Sequence, residues 1–182
     1  MINLKEKKIS SKIVYDGTFL NVRKDLVSLP NGNEGTREWI NHPGAVCIIP
    51  ILPNGKLALI RQFRYPVGKV MIELPAGKLD ANEMPNDCAF RELEEEIGHK
   101  TNKLTLLTEI HPAIGFANEV MWLFLAEDLI ETNIKQDEDE FLELIPTDLK
   151  DAIKMTWNGK ITDVKTIIGI HWAERLSCQG KL

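Results

Sequence analysis

Three cysteines in 182 residues, Cys47, Cys88 and Cys178, are too few and too scattered for a disulfide framework or a zinc knuckle. Positive charge is also short, with 22 Lys and Arg against 27 Asp and Glu, for a net charge of −5. That balance lacks the bulk basic charge with which duplex or single-strand binders hold phosphate, so no nucleic-acid partner is expected. No apolar run approaches the ~18 residues needed to span a bilayer, so no membrane partner is expected. The N-terminus, MINLKEKKIS, is charged and carries no apolar core of a secretory signal, so the expected location is cytoplasmic. Internal repeats and low-complexity tracts are missing as well, and nine prolines and twelve glycines exclude a collagen-like chain. What is present is a hydrophobic fraction of 43%, near that of an ordinary globular domain.

Residues 1–42 are polar and turn-rich, with strand-like stretches at Lys12–Tyr15 and Phe19–Ser28 and a hairpin turn at Asn31-Gly32-Asn33. They hold too few apolar residues to build a core alone. Residues 43–182 differ. GAVCIIPIL reads as a buried strand, and LALIRQFRY as a second strand that hairpins back on it through Pro53-Asn54-Gly55. Pro85–Ile97 reads as a helix with proline at its start and Gly98 at its stop. LTLLTEIH, VMWLFLAE and FLELIP are further strands. Two helices follow, the first capped by Thr147 or Asp148 and the second by Thr162. Trp122, Trp157 and Trp172 sit in apolar patterns and are expected in the core. Strands and helices in an order that does not repeat βαβ imply a mixed sheet between helical layers.

On the helix 85–97, Glu92, Glu95 and Glu96 share one side, at i, i+3 and i+4. Like charges at that spacing repel, and glutamate near a helix C-terminus opposes the macrodipole. Either the face is solvated or a cation supplies the missing positive charge, and hard divalent ions favour carboxylate oxygens. The preceding loop bears on the choice. Gly77, then five residues, Glu83, then seven residues, then Arg91-Glu92-Leu93, one residue, Glu95-Glu96, one residue and Gly98-His99 form a single spaced pattern.

That pattern resembles the Nudix box, with His99 in place of its final aliphatic residue. The similarity extends over roughly residues 37–145 and is to the ADP-ribose pyrophosphatase type, or nucleoside diphosphate sugar hydrolases. It is carried by Arg37-Glu38-Trp39, GAVCIIP, LALIRQFRYPVG, Glu73-Leu74-Pro75-Ala76-Gly77-Lys78, Gly115-Phe116-Ala117-Asn118-Glu119 and the acidic run Asp137–Glu140. The resemblance implies an α/β/α sandwich with a mixed sheet, preceded by a small N-terminal antiparallel β-sheet that packs across a homodimer. It implies a Mg²⁺-dependent enzyme, with Mn²⁺ as substitute, that splits a nucleotide sugar into a nucleoside monophosphate and a sugar phosphate.

The same resemblance assigns the site. Glu92, Glu96 and Glu95 would ligate metal, together with the carbonyl of Ala76, and Glu95 and Arg91 would also serve catalysis. Gly77 would permit a tight or left-handed turn where a side chain would block the metal. Glu83 and Arg91 would pair to fix the loop, and Gly98 would close the helix. Glu138 or Glu140 would be the general base. Arg64 would hold substrate phosphate, since a guanidinium makes paired charge-assisted bonds to phosphate oxygens. Arg37 would reach a second phosphate or a ribose, Trp39 would stack on a base, and Phe116 and Glu119 would complete the substrate site. Arg61 reads as structural.

One position departs from the subfamily: Ile114 stands where a proline usually precedes the glycine of its loop, and Pro112 comes two residues early. The loop is freer without that fixed φ, which brings GDP-mannose or a broad nucleotide-sugar activity into contention with ADP-ribose. A binding module without turnover is the alternative of a different kind, but such modules usually lose box carboxylates, and here all are present.

Overall fold

The computed structural model describes residues 2–132 and 141–182. Two units divide the chain, one made of Met1–Pro43 with His111–Val120 and the other of Gly44–Ile110 with Met121–Leu182.

The first unit is a three-stranded antiparallel sheet of β1 (Lys7–Asp16), β2 (Asn21–Ser28) and β3 (Glu34–Ile40), in that order. Gly32 turns the β2–β3 connection at φ +88°, and Leu29 N–H donates to Asn33 O at 2.7 Å to close it. The first strand runs longer than the apolar residues suggest, and β3 carries no apolar alternation at all. Its place in the sheet comes from a backbone ladder to β2 that pairs Val22 with Ile40 through Ser28 with Glu34. Segment 111–120 joins this unit through main-chain bonds, with Ile40 N–H donating to Phe116 O at 2.8 Å and Asn118 N–H to Ile40 O at 3.3 Å. Every residue of β1 is exposed, including Ile9, Ile13, Val14 and Tyr15.

The second unit holds β4 (Ala45–Pro50), β5 (Leu57–Arg64), β6 (Lys69–Glu73), β7 (Ala76–Lys78), α1 (Pro85–Ile97), β8 (His99–Lys100) and β9 (Lys103–Ile110). It continues with β10 (Met121–Glu127), β11 (Ile130–Glu131), β12 (Leu142–Thr147), α2 (Leu149–Trp157) and α3 (Val164–Cys178). A mixed four-stranded sheet has the order β7-β4-β10-β9, with β4 and β10 parallel. A second sheet has the order β12-β5-β6, and β11 pairs with β8.

All six residues of β4 are buried, and their alternation explains the layers. Ala45, Cys47 and Ile49 join Leu123, Leu125, Ile170 and Ala173 in one core, against α2 and α3. Val46 and Ile48 point the other way and pack with Ala89, Leu93 and Ile97 of α1. The helices thus cover opposite faces of the sheet, as expected of an α/β/α sandwich. The expected β4–β5 hairpin is corrected to a turn with one isolated bridge, Ile51 to Leu57. Both edges of β4 are already taken, by β7 and β10, so β5 builds its own sheet.

Helix α1 starts with Pro85 in its first turn and stops at Gly98, whose left-handed φ of 63° and ψ of 38° let its N–H reach Glu94 O. The cap of α3 is Asp163 rather than Thr162, because the Asp163 carboxylate accepts from Thr166 N–H. At the head of α2, Asp148 takes the cap position without a side-chain bond. Trp157 is not core. It is 80% exposed at the last position of α2, whereas Trp172 packs against the core and Trp122 is half-buried with its indole N–H on Glu109. Among the described residues no helix is long and apolar enough to cross a membrane.

Candidate active site

The segment between β6 and β7 is pinned to the central strand. Pro75 O accepts from Ile48 N–H at 2.9 Å, and β7 pairs Ala76 with Cys47 and Gly77 with Val46. Helix α1 packs against both β4 and β7, so the first residues of the box meet its last ones face to face.

Gly77 is the point of closest approach. A Cβ there would stand 1.7 Å from Glu92 Oε1 and 1.9 Å from its carboxyl carbon. The glycine is therefore required by the carboxylate against it. The expected left-handed turn is corrected, since Gly77 is not among the residues with positive φ.

Arg91 is the hub of the site. Its Nε and Nη2 donate to the two oxygens of Glu83 at 2.9 and 3.0 Å, and its Nη1 donates to Glu92 Oε1 at 2.7 Å and Glu95 Oε2 at 2.8 Å. Nη2 also donates to the Lys78 carbonyl at 3.1 Å. One cation thus ties loop, strand and helix together. The Arg91 hydrogen bonds hold the Glu83 carboxyl down at about 2, from its ordinary 4.5, with Asp80 N–H adding to the effect. A depressed carboxyl stabilises the fold above its unfolded pKa and loses that stabilisation as pH falls through the folded value. The wild-type advantage over Glu83→Gln is therefore expected to be full above pH 4.5 and to shrink between 4.5 and about 2, as read by denaturant unfolding across that range. An advantage that does not change with pH would refute the pairing as its source.

Glu92 and Glu96 are buried, at 8% and 3% exposure, and Ala76 N–H donates to Glu96 Oε2 at 2.9 Å. Two buried carboxylates on one helix face, beside a glycine that keeps the space at Glu92 clear, offer only oxygen donors. That chemistry fits a hard divalent cation. Among the described residues no three His, Cys, Asp or Glu side chains converge as a complete cage, so a cation here would draw further ligands from water and substrate. Glu138 and Glu140 lie outside the described residues.

Arg64 ends β5 and donates from Nε and Nη2 to both oxygens of Glu73, at 2.8 and 2.9 Å. Glu73 is 2% exposed and is also bound by Lys165 Nζ, which reaches Asp163 Oδ2 at 2.9 Å. Burial alone would raise the Glu73 carboxyl; the Arg64 hydrogen bonds and the Lys165 charge outweigh it and leave it lowered. Lys165 is held up by the opposite balance, with burial outweighed by the charges of Asp163 and Glu73. Sequence reasoning missed Lys165 and Asp163. The available signal was a lysine two residues after Asp163 and two before the apolar pair Ile167-Ile168. Arg61 pairs with Glu143 at 2.8 Å, a structural contact. Burial drives the Cys47 thiol up to about 12 and raises Cys88 as well, so neither is a thiolate.

The substrate-site expectations Arg37, Trp39 and Phe116 fall together in the first unit. They line a groove of about 310 Å³ with Glu38, Ile114, Gly115, Ala117 and Asn118. Trp39 is held by its indole N–H on Asp25 Oδ2 at 3.0 Å, with the Arg23 guanidinium 6.0 Å from its ring centre. Arg37 is engaged by Glu6, through Nε at 3.0 Å and through Nη2. Glu119 lies 3.9 Å from His42 Nε2 rather than on the groove wall. Asp25 and Glu6 were not singled out in the sequence.

Comparison with known proteins accounts for both units. Residues 41–164 match the NUDIX domain, and residues 6–40 match the nucleoside diphosphate sugar hydrolase N-terminal domain. The chain therefore belongs to the Nudix family, as a pyrophosphatase with that N-terminal domain. It is 39% identical over 96% of its length to an ADP-ribose pyrophosphatase of Bacillus subtilis, covering 95% of that protein. It is 37% identical to a methanol dehydrogenase activator of Bacillus methanolicus, over 93% of this chain and 92% of the other. The crystal structure of an ADP compounds hydrolase shares the fold, with a TM-score of 0.86 over 99% of both chains at 23% identity.

Proposed function

We propose that the protein hydrolyses the diphosphate of a nucleoside diphosphate sugar, with ADP-ribose the favoured substrate and GDP-mannose the alternative. The observation that carries this reading is the full set of box carboxylates organised around Arg91, with Glu92 and Glu96 buried beside Gly77. A module that only bound nucleotides would have no use for that arrangement. The 39% identity to an ADP-ribose pyrophosphatase supports the choice of sugar nucleotide, and Ile114, 83% exposed in the loop of the groove, keeps the terminal sugar open.

Glu92, Glu96 and Glu95, with the Ala76 carbonyl, would hold Mg²⁺ or Mn²⁺. When bound, such an ion neutralises phosphate charge and lowers the pKa of coordinated water. The chain's own part is binding and positioning. Arg91 orients Glu92 and Glu95. Arg64 takes the diphosphate oxygens by paired charge-assisted bonds. Arg37, Trp39 and Phe116 hold the nucleoside. Water attacks one phosphorus, the bridging P–O bond breaks in line, and Glu138 or Glu140 accepts the water proton; the products are a nucleoside monophosphate and a sugar phosphate.

Parallel assays of ADP-ribose, GDP-mannose, NADH, a dinucleoside polyphosphate and a deoxynucleoside triphosphate test the reading by kcat/KM. A nucleotide sugar is expected to lead, with activity lost on chelation and restored by Mg²⁺ or Mn²⁺. A triphosphate or dinucleoside polyphosphate ahead by about tenfold, ~1.4 kcal/mol of discrimination, would overturn it. The wholly exposed β1, with Ile9, Ile13, Val14 and Tyr15 uncovered, supports a homodimer built through the N-terminal segment. Sedimentation is expected to give a dimer at micromolar concentration, and a stable monomer would count against it.

A further inference from the structure

Arg64 is the exposed end of a buried charge chain. Its side chain is 39% exposed, while Glu73 is 3%, Lys165 10% and Asp163 19% exposed. Glu73 accepts from two cations at once, Arg64 on both oxygens and Lys165 on Oε2. Lys165 is in turn anchored by Asp163, which also accepts from Thr166 N–H at 3.1 Å and Thr166 Oγ1 at 2.6 Å. The charges balance, two of each sign, and the guanidinium is the most exposed of the four.

Arg64 cannot offer its Nε–Nη2 edge to substrate phosphate while that edge remains on Glu73. Leaving a buried carboxylate without any cation is strongly unfavourable, enough to hold the arginine where it is. Lys165 removes that obstacle, because it stays on Glu73 when the guanidinium turns away.

We infer that Lys165 is a positioning residue for Arg64: by keeping buried Glu73 neutralised, it lets Arg64 turn its Nε–Nη2 edge from Glu73 to the phosphates of the substrate. The inference rests on the reading of Arg64 as a phosphate ligand. It goes beyond that reading by placing the control of substrate affinity at the head of α3.

Steady-state hydrolysis of ADP-ribose, or of GDP-mannose where that is the better substrate, tests it with Lys165→Met, Glu73→Gln, their double variant and Arg64→Ala. Lys165→Met is expected to raise KM about tenfold or more with kcat within about threefold of wild type. Glu73→Gln is expected to show a KM no higher than wild type, and the double variant to return most of the lost affinity, since no buried charge then holds Arg64. A merely structural lysine would give no such rescue, because the double variant would compound the damage. Where Lys165→Met does not fold, Glu73→Gln alone decides, and a tenfold rise of its KM in a folded protein overturns the inference. A KM unchanged in Lys165→Met, or no rescue in a folded double variant, also overturns it. Arg64→Ala separates the two levels. If it raises KM while Lys165→Met does not, the inference fails alone; if it leaves KM unchanged, the phosphate role of Arg64 fails first.

Discussion

Glu96→Gln is expected to lower turnover by about 10²–10⁴-fold while the protein stays as stable as wild type or becomes slightly more so. Glutamine keeps the shape of the side chain, and its carbonyl oxygen can take the hydrogen bond that Ala76 N–H gives to Glu96 Oε2 at 2.9 Å. What is lost is one negative charge at 3% exposure, on a helix face shared with Glu92 and Glu95. Relief of like-charge repulsion with Glu92 along that face favours the variant. A divalent cation does need it. Steady-state hydrolysis over a range of Mg²⁺ concentrations, beside denaturant unfolding of both proteins, reads the two effects separately. Wild-type turnover in a folded Glu96→Gln protein would sink the metal assignment.

Gly77→Ala is expected to be nearly as damaging through a single methyl group. The added carbon would sit 1.7 Å from Glu92 Oε1 and 2.6 Å from Oε2, far inside contact distance. Either the carboxylate swings away, breaking its bond from Arg91 Nη1, or β7 lifts from β4. Activity is expected to fall about 100-fold or more, and stability by about 1–3 kcal/mol as for other overpacked sites. Because the damage passes through Glu92, adding Glu92→Ala to Gly77→Ala is expected to cost little further activity, a non-additivity that a double-mutant cycle measures. Full additivity would mean that Gly77 acts by some other route.

The box was legible in the sequence because each of its positions has a stereochemical duty at a fixed spacing. Gly77 admits a carboxylate, Glu83 and Arg91 close on each other across eight residues, and Gly98 ends the helix in a left-handed turn. The double-sided core was legible too, since a continuous apolar run such as 44–52 must be covered on both faces. Contacts made at long range were not. Lys165 meets Glu73 across 92 residues, and a lysine in a helix reads by default as a solvated one. Arg37 finds Glu6 across 31 residues, in a segment whose polar composition gives no sign of a defined partner. Trp157 misled for the opposite reason: a large aromatic reads by default as buried, but it falls at the last position of α2 and is 80% exposed. Strand β3 was missed because its strand character belongs to its backbone ladder with β2 and not to its side chains.

The anchoring of Leu74 has a bearing on how the enzyme comes into being. Leu74 N–H donates to Thr166 Oγ1 at 2.8 Å, and α3 lies so near that a Cβ on Gly169 would stand 2.3 Å from Leu74 Cδ1. The connection that leads into Ala76 and Gly77 is thus braced by a residue that leaves the ribosome 92 positions after Leu74. Synthesis runs from the N-terminus, so every box carboxylate is made well before the brace exists. A nascent or prematurely ended chain lacking Asp163, Lys165 and Thr166 would carry the whole metal-binding sequence with nothing to seat it. Seating of the box therefore waits until α3 has been made and Thr166 has bonded to Leu74.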